Sequence, residues 1–240
     1  MVLFSLTVRE VKKLLPLLGI LTLFSHCKVE QRIVGLWLVE KVQIGGQTMT
    51  PQAKWTRLDP DQSQASGNGW SQHTVGYWQY DPPSKQLSIV NTNGVKDEFG
   101  GFTLEAIDGK KMTWSREEDG EPVQVFLRKT NKIPQAASDK LLGVWRPRTG
   151  DPAAAREGAP YIFLRWDRVI VSRQKDEKRQ YGTYRTHGHR NELQVIYYEE
   201  PLRREIWNYA FDAEENLILE RMEDGEKIMM RYERIDYIPQ

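Results

Sequence analysis

Along most of the chain, apolar and polar residues alternate over short runs, which is the pattern of β-strands with one buried face. Residues 123–127, 168–172 and 194–198 are clear examples, since they are rich in β-branched or aromatic residues and are bounded by turn formers. The sequence shows no long helical apolar face after residue 28. The pattern therefore predicts an all-β protein.

Dipeptides typical of hairpin turns punctuate these runs. They are Asn93-Gly94, Asp108-Gly109, Asp119-Gly120 and Asp224-Gly225. Such pairs tolerate the positive φ angles of a two-residue turn, so each predicts a β-hairpin. Acidic residues cluster around the last two turns, but they lack the ligand spacing of a calcium loop and are interpreted as solvated turn flanks.

The chain contains an internal duplication. Residues 116–121 (REEDGE) return as residues 221–226 (RMEDGE), and each copy ends in an Ile-Pro pair. Further segments match at separations of 106 to 108 positions: Gly35-Leu36-Trp37 with Gly143-Val144-Trp145, Gly76-Tyr77-Trp78 with Gly182-Thr183-Tyr184, and residues 87–90 with 193–196. A nearly constant separation means few insertions, so we expect both copies to share one fold.

Each copy has room for about eight strands of typical length joined by tight turns. Closing such a sheet on itself removes the exposed edges that an open antiparallel sheet would have to protect. We therefore predict two tandem small antiparallel up-and-down β-barrels that follow an N-terminal signal segment. In the alternative, both copies contribute strands to one larger barrel or sandwich.

The predicted boundaries follow from composition. Residues 28–134 form the first repeat, residues 135–140 are small and polar and form a linker, and residues 141–240 form the second repeat. Residues 62–69 and the insertion at 151–158 are predicted to be loops at the barrel mouths.

The first 27 residues have the plan of a secretory signal peptide. A basic region precedes an apolar run at residues 14–24, and the only cysteine of the chain, Cys27, follows. The run is shorter than the about 20 residues that a membrane-spanning helix needs, so no transmembrane span is predicted. A single cysteine also cannot form an internal disulfide.

The position of Cys27 resembles the lipobox of bacterial lipoproteins, although Phe24 and His26 depart from the usual pattern. The resemblance implies a lipid attached to the Cys27 thiol. That lipid would anchor the chain to a membrane outside the cytoplasm, in the bacterial cell envelope at the outer membrane or the cell surface. In the alternative, the signal peptide is an ordinary one and Cys27 is a spare thiol.

Three features together resemble the lipocalin-like domains of bacterial lipoproteins. They are Gly-x-Trp on the first strand, an aromatic strand after a mid-repeat glycine, and a terminal Asp-Gly hairpin, and they span residues 35–134 and 143–239. The resemblance implies that Trp37 and Trp145 each plug one end of a barrel. Because a buried indole needs a hydrogen-bond acceptor, we expect a carbonyl of an adjacent strand or an acid beside each.

Five further aromatic residues could line a pocket if a barrel is hollow. They are Trp78, Tyr80, Tyr184, Tyr197 and Trp207. Small barrels are usually packed by their own side chains, so the alternative is that these residues fill the core.

Signals for catalysis or metal binding are weak. His187 and His189 would share one face of a strand, which is one way to begin a metal site, but Gly188 between them favours a hairpin turn. The sequence has no nucleophile elbow, phosphate-binding glycine loop, metalloprotease motif or dinucleotide fingerprint. Neither a metal nor a cofactor is predicted.

The charge composition restricts the classes of binding partner. The 34 Lys and Arg residues nearly balance the 33 Asp and Glu residues and are interspersed with them, which disfavours a nucleic-acid partner.

The favoured function is a non-enzymatic module that binds a small apolar ligand or a protein partner. One alternative is an envelope enzyme at the junction of the repeats, for which His187, His189 and Glu199 would have to converge. Another is a purely structural lipoprotein.

Overall fold

A computed structural model describes residues 29–148, 160–174 and 177–239. The chain divides between Pro134 and Gln135 into two compact units, and each unit contains one closed antiparallel barrel of eight strands. The prediction of two tandem up-and-down barrels is confirmed, and the alternative of one composite barrel is excluded. The signal segment with Cys27 and the predicted loop at 151–158 lie outside the described residues.

In the first unit, residues 29–33 are helical and lead into the sheet. Its strands are β1 (Gly35–Ile44), β2 (Gln47–Met49), β3 (Lys54–Leu58), β4 (Ser63–Asn68), β5 (Ser71–Asp81), β6 (Gln86–Asn91), β7 (Phe102–Ile107), β8 (Lys111–Glu118) and β9 (Glu121–Thr130). β1 pairs with both β3 and β9 and so closes the barrel, while β2 extends β1 as a short hairpin.

The second unit begins with a 3-10 helix at Ala137–Leu141. Its strands are β10 (Gly143–Pro147), β11 (Tyr161–Leu164), β12 (Val169–Arg173), β13 (Gln180–Thr186), β14 (Glu192–Tyr197), β15 (Arg203–Phe211), β16 (Leu217–Glu223) and β17 (Glu226–Ile235). β10 closes the barrel by pairing with β17. Within residues 135–140, which were predicted to be a linker, Ala136 is buried and Ala137 packs against the core of the second barrel.

The predicted hairpins are mostly confirmed. Asp119-Gly120 and Asp224-Gly225 each form a two-residue turn with both φ angles positive, from 51° to 85°, and Asp108-Gly109 lies in the tight connection between β7 and β8. The hairpin predicted at Asn93-Gly94 is wrong. β6 and β7 pair near the first residues of β6, so the chain returns from the far end of β6 through a longer connection at 92–101.

The loop predicted at 62–69 is also wrong, because β4 occupies most of this segment. Its sequence, SQASGN, lacks the apolar alternation of a half-buried strand. The strand is buried on both faces, and its polar side chains are satisfied partly by neighbouring strands, as when Ser66 Oγ lies 2.7 Å from Thr74 Oγ1. Tertiary packing overrides the local signal here.

Trp37 and Trp145 are fully buried at equivalent places in the two barrels. Trp37 Nε1 donates to the Ile33 carbonyl oxygen at 2.7 Å, and Trp145 Nε1 donates to the Leu141 carbonyl oxygen at 2.8 Å. The acceptor is thus a backbone carbonyl, as expected, but it belongs to the helical turn that precedes the strand and not to an adjacent strand. The turn covers the end of the barrel at which the strand begins.

Candidate functional site

The two ends of the second barrel differ. We call the end that contains Trp145 the tryptophan end and the opposite end the open end. β10 starts at the tryptophan end, because Gly143 pairs with Leu164, the last residue of β11. The connections from β12 to β13, from β14 to β15 and from β16 to β17 therefore lie at the open end.

A pocket of about 320 Å³ lies inside the second barrel towards its open end. At about 30 Å³ for each water molecule, this volume accommodates roughly ten water-sized groups. Ligand sites in proteins usually measure about 300 to 1,000 Å³, so the pocket suits a small ligand.

Apolar side chains form much of the pocket wall. They include Ile162, Ile170, Leu193, Val195, Leu219, Ile228 and Met230, together with the rings of Tyr161, Tyr197, Trp207 and Tyr232. Except for Tyr161, which packs with Val144 and Val171 in a separate cluster, these side chains come from alternating positions on several strands, which places them on the inner face of the barrel. The wall can therefore receive an apolar group.

Charged side chains interrupt this wall near the open end. The described lining includes three arginines, Arg173, Arg203 and Arg221, and one carboxylate, Glu205. The side chain of Glu205 is only 9% exposed. A buried carboxylate is stable only when it is paired and hydrogen-bonded.

Glu205 meets that requirement through three donors. Its Oε1 pairs with Nη1 of Arg203 and lies 3.1 Å from Nη1 of Arg221. Its Oε2 accepts a hydrogen bond of 2.9 Å from Nε1 of Trp207. One carboxylate thus holds two guanidinium groups at the pocket wall.

The two guanidinium groups also lie over aromatic rings. The guanidinium of Arg203 is 4.1 Å from the ring centroid of Tyr197, and that of Arg221 is 4.4 Å from the ring centroid of Trp207. Such cation–π contacts favour the charged form and fix its orientation. Burial acts to lower the pKa of Arg203, but the hydrogen bond to Glu199 and the charges of Glu205 and Glu199 together outweigh it, so the pKa of Arg203 is raised.

Burial also affects the tyrosines of this barrel. It raises the pKa of Tyr197 and Tyr232 in the pocket, and it raises the pKa of Tyr184 and of Tyr209 to about 12. Their phenols are neutral near neutral pH. The charges at the pocket wall therefore come from the arginines and the glutamate.

The structure separates the five aromatic residues predicted as a pocket lining. Tyr197 and Trp207 line the pocket of the second barrel. Tyr184 lies in the core near the tryptophan end, where its hydroxyl donates to the Arg165 carbonyl oxygen at 2.6 Å. Trp78 and Tyr80 belong to the first unit, pack on its core and border a cleft there.

His187 and His189 lie in the turn between β13 and β14, at the tryptophan end. Nδ1 of His187 accepts hydrogen bonds from the backbone amides of His189 and Arg190, at 3.1 and 3.2 Å. Glu199 follows β14 at the open end. The three residues that the junction-enzyme alternative requires are therefore not brought together, and no cluster suited to a metal ion occurs among the described residues.

The repeat places an arginine at the equivalent position of the first barrel. Arg116, which matches Arg221, lies 4.1 Å from the ring centroid of Phe102 and pairs with Glu118, as Arg221 does with Glu223. Arg116 also bonds Asp97 at 2.7 Å. The two barrels thus share an inward aromatic–arginine–glutamate arrangement, but the carboxylate that joins two arginines occurs in the second barrel.

Sequence reasoning missed the charged part of the pocket. Arg203 and Glu205 are spaced at i and i+2 in phase with buried Trp207, so all three share the inner face of β15. Arg221 stands in the repeated motif, which was interpreted only as a hairpin. Charges in phase with buried aromatics were the signal that could have found the cluster.

No family model matches the chain, and no curated protein matches it either. Within residues 29–148, 160–174 and 177–239, no helix has the length and apolar character needed to cross a membrane.

Proposed function

We propose that this protein is a lipid-anchored, extracytoplasmic lipoprotein of the bacterial envelope that binds a small ligand without catalysing a reaction. The observation that carries the proposal is the pocket inside the second barrel, with its apolar wall and a few charged groups near the open end. A concave, mostly apolar site with a small number of placed polar groups is the usual form of a ligand site.

The lipid anchor rests on the sequence around Cys27. The lipocalin-like character rests on the Gly-x-Trp motifs, and the up-and-down barrels agree with it. A non-enzymatic role is favoured because the sequence contains no catalytic motif and because His187, His189 and Glu199 do not converge.

Native mass spectrometry tests the proposal. The chain from Lys28 to the C-terminus contains both barrels and is purified without detergent. We expect a stoichiometric additional mass that disappears on denaturation and that identifies the ligand class. If the native chain and the denatured chain show the same mass in repeated preparations, and small amphiphiles added to the sample do not bind, the small-ligand function is wrong.

A further inference from the structure

The charged part of the pocket indicates which ligand it suits. We propose that the second barrel binds a small amphiphile with one anionic head group, held by Arg221 and Arg203, and with an apolar body that lies against the inner wall. The inference rests on the proposed ligand-binding function and specifies the chemical class of the ligand.

The first argument is the charge at the wall. The described lining carries three arginines and one glutamate, and burial raises the pKa of Tyr197 and of Tyr232, which keeps these two phenols neutral. The additional carboxylate partners of Arg203 and Arg221 are Glu199 and Glu223, whose side chains are 37% and 49% exposed. Water screens these outer carboxylates far more than it screens a group inside the barrel.

The second argument is a free donor. Nε of Arg221 is buried and has no hydrogen-bond partner among the described residues. A buried donor without an acceptor costs free energy, and because Nε is shielded from water here, a ligand oxygen gains this bond when the Arg221 side chain turns Nε towards the pocket. Planar guanidinium groups also match carboxylate and phosphate oxygens in geometry.

The third argument concerns Glu205. This carboxylate already joins the two guanidinium groups, and its presence shows that an anion is accommodated between them. It also competes with an anionic ligand for the same donors. Removing its charge while keeping its shape is therefore expected to strengthen anion binding, which is the opposite of what a purely structural role predicts.

Beyond these charges the wall is mostly apolar, with Ser172 and Gln174 as polar members, and the volume is small. An inorganic anion would leave this wall in contact with water, and a neutral apolar molecule would leave the guanidinium groups without a new partner. An anionic head joined to a short apolar body satisfies both parts.

Isothermal titration calorimetry tests the inference on the chain from Lys28 to the C-terminus. The probes are octanoate, octan-1-ol and inorganic phosphate. Because one charge-assisted hydrogen bond corresponds to about a tenfold change in affinity, we expect octanoate to bind at least about tenfold more tightly than octan-1-ol. Phosphate is expected to bind more weakly than octanoate.

Three variants locate the site. Arg221→Met is expected to abolish the preference for octanoate, and Arg221→Lys is expected to keep part of it. Arg116→Met, at the matching position of the first barrel, is the control and is expected to leave octanoate binding unchanged. Glu205→Gln is expected to increase octanoate affinity about threefold or more.

The outcomes separate this inference from the proposed function. Equal affinity for octanoate and octan-1-ol would show that the pocket does not require an anionic head group, and it would leave a pocket for apolar ligands. Phosphate binding as tight as octanoate binding would identify a free-anion site and overturn the amphiphile. If neither organic probe binds, the small-ligand function of this pocket fails as well. A weaker octanoate affinity in Glu205→Gln that remains folded would contradict the assigned role of Glu205.

Discussion

The guanidinium of Arg234 lies over the ring of Trp145, 4.4 Å from its centroid, at the tryptophan end of the second barrel. Arg234 comes from the last strand and Trp145 from the first, so the contact crosses the seam where β10 meets β17. Nη1 of Arg234 also donates to the Leu142 carbonyl oxygen at 2.6 Å, and Nη2 donates to the carbonyl oxygen of Lys140 in the 3-10 helix at 2.5 Å. One side chain thus joins the closing strand pair to the helical turn that accepts the Trp145 indole.

The first barrel repeats this relationship with a lysine. Nζ of Lys129 lies 5.1 Å from the ring centroid of Trp37 and donates to the Arg32 carbonyl oxygen at 3.3 Å. In both barrels the cation passes over the glycine of Gly-x-Trp. Gly35 and Gly143 have φ angles of 146° and 131°, and a Cβ at either position would displace the end of the overlying side chain, at Cε of Lys129 or Nη1 of Arg234. The motif therefore requires glycine for two reasons, its backbone angle and the close approach of a side chain.

Gly143→Ala is expected to destabilise the protein by about 1 to 3 kcal/mol, because the alanine adopts a strained φ angle and its Cβ meets Nη1 of Arg234 at 2.5 Å. Urea unfolding measures the change. Gly188→Ala is the control, since Gly188 lies in a turn with no atom within 4 Å of the added Cβ. Equal stability of the two variants would show that the glycine of Gly-x-Trp is not under this constraint.

Val195→Trp is expected to fill the pocket and to prevent ligand binding, because Val195 lies on the pocket wall in the middle of β14. Native mass spectrometry should then show the chain without the additional mass. Ile206→Trp is the matched control, since Ile206 lies on the adjacent strand but faces outward and is 59% exposed. If both variants lose the ligand, or if both retain it, the proposal that the second barrel binds the ligand is contradicted.

The protein is expected to lose stability at alkaline pH through its buried tyrosines. Burial raises the pKa of Tyr184 and of Tyr209 from 10.0 to about 12. In the unfolded chain the same phenols ionise from about pH 10, so the unfolded state releases protons first. The contribution of these two neutral phenols to the free energy of unfolding is fully present below about pH 10 and is lost as the pH rises through about 12.

Denaturant unfolding between about pH 8 and about pH 11 measures this dependence. Tyr184→Phe should show a smaller loss of stability over the range, because it removes one of the shifted groups. Tyr198→Phe, at a side chain that is 62% exposed, should retain the dependence of the unaltered protein. If both variants lose stability with pH as the unaltered protein does, the burial of Tyr184 is not the cause.

Cys27→Ser is expected to prevent lipid attachment. In bacteria supplied with a labelled fatty acid, the unaltered protein should carry the label and the variant should not. Ser25→Ala keeps the thiol and keeps a small residue two positions before it, and it should be labelled normally. Inhibition of lipoprotein signal peptidase should leave an unprocessed precursor of the unaltered protein, and normal maturation under that inhibition would contradict the lipoprotein assignment.

Local signals that repeat were sufficient to predict the architecture. The period of two in the strands, the Asp-Gly turns and the constant separation of the two copies depend on neighbours in the chain, and each is a physical requirement of a hairpin or of a half-buried strand. The pairing of β10 with β17 follows once the number of strands and the need to protect edges are known.

The predictions that were wrong concern segments whose burial or pairing depends on residues far away in the sequence. β4 is polar and was predicted as a loop, yet neighbouring strands bury both of its faces. The connection after β6 is long because of where β6 pairs with β7, and a two-residue pattern carries no information about that pairing.

By itself, the sequence determined the duplication, the all-β class, the Asp-Gly turns and the glycine and tryptophan at the start of each barrel, because these features follow from backbone angles and from alternation along one strand. Only the tertiary structure decided that Arg203, Glu205 and Arg221 meet inside one barrel. They come from two strands, β15 and β16. Closure of the barrel turns their inner faces towards one small, partly desolvated pocket, where charges act far more strongly than they do along an extended chain.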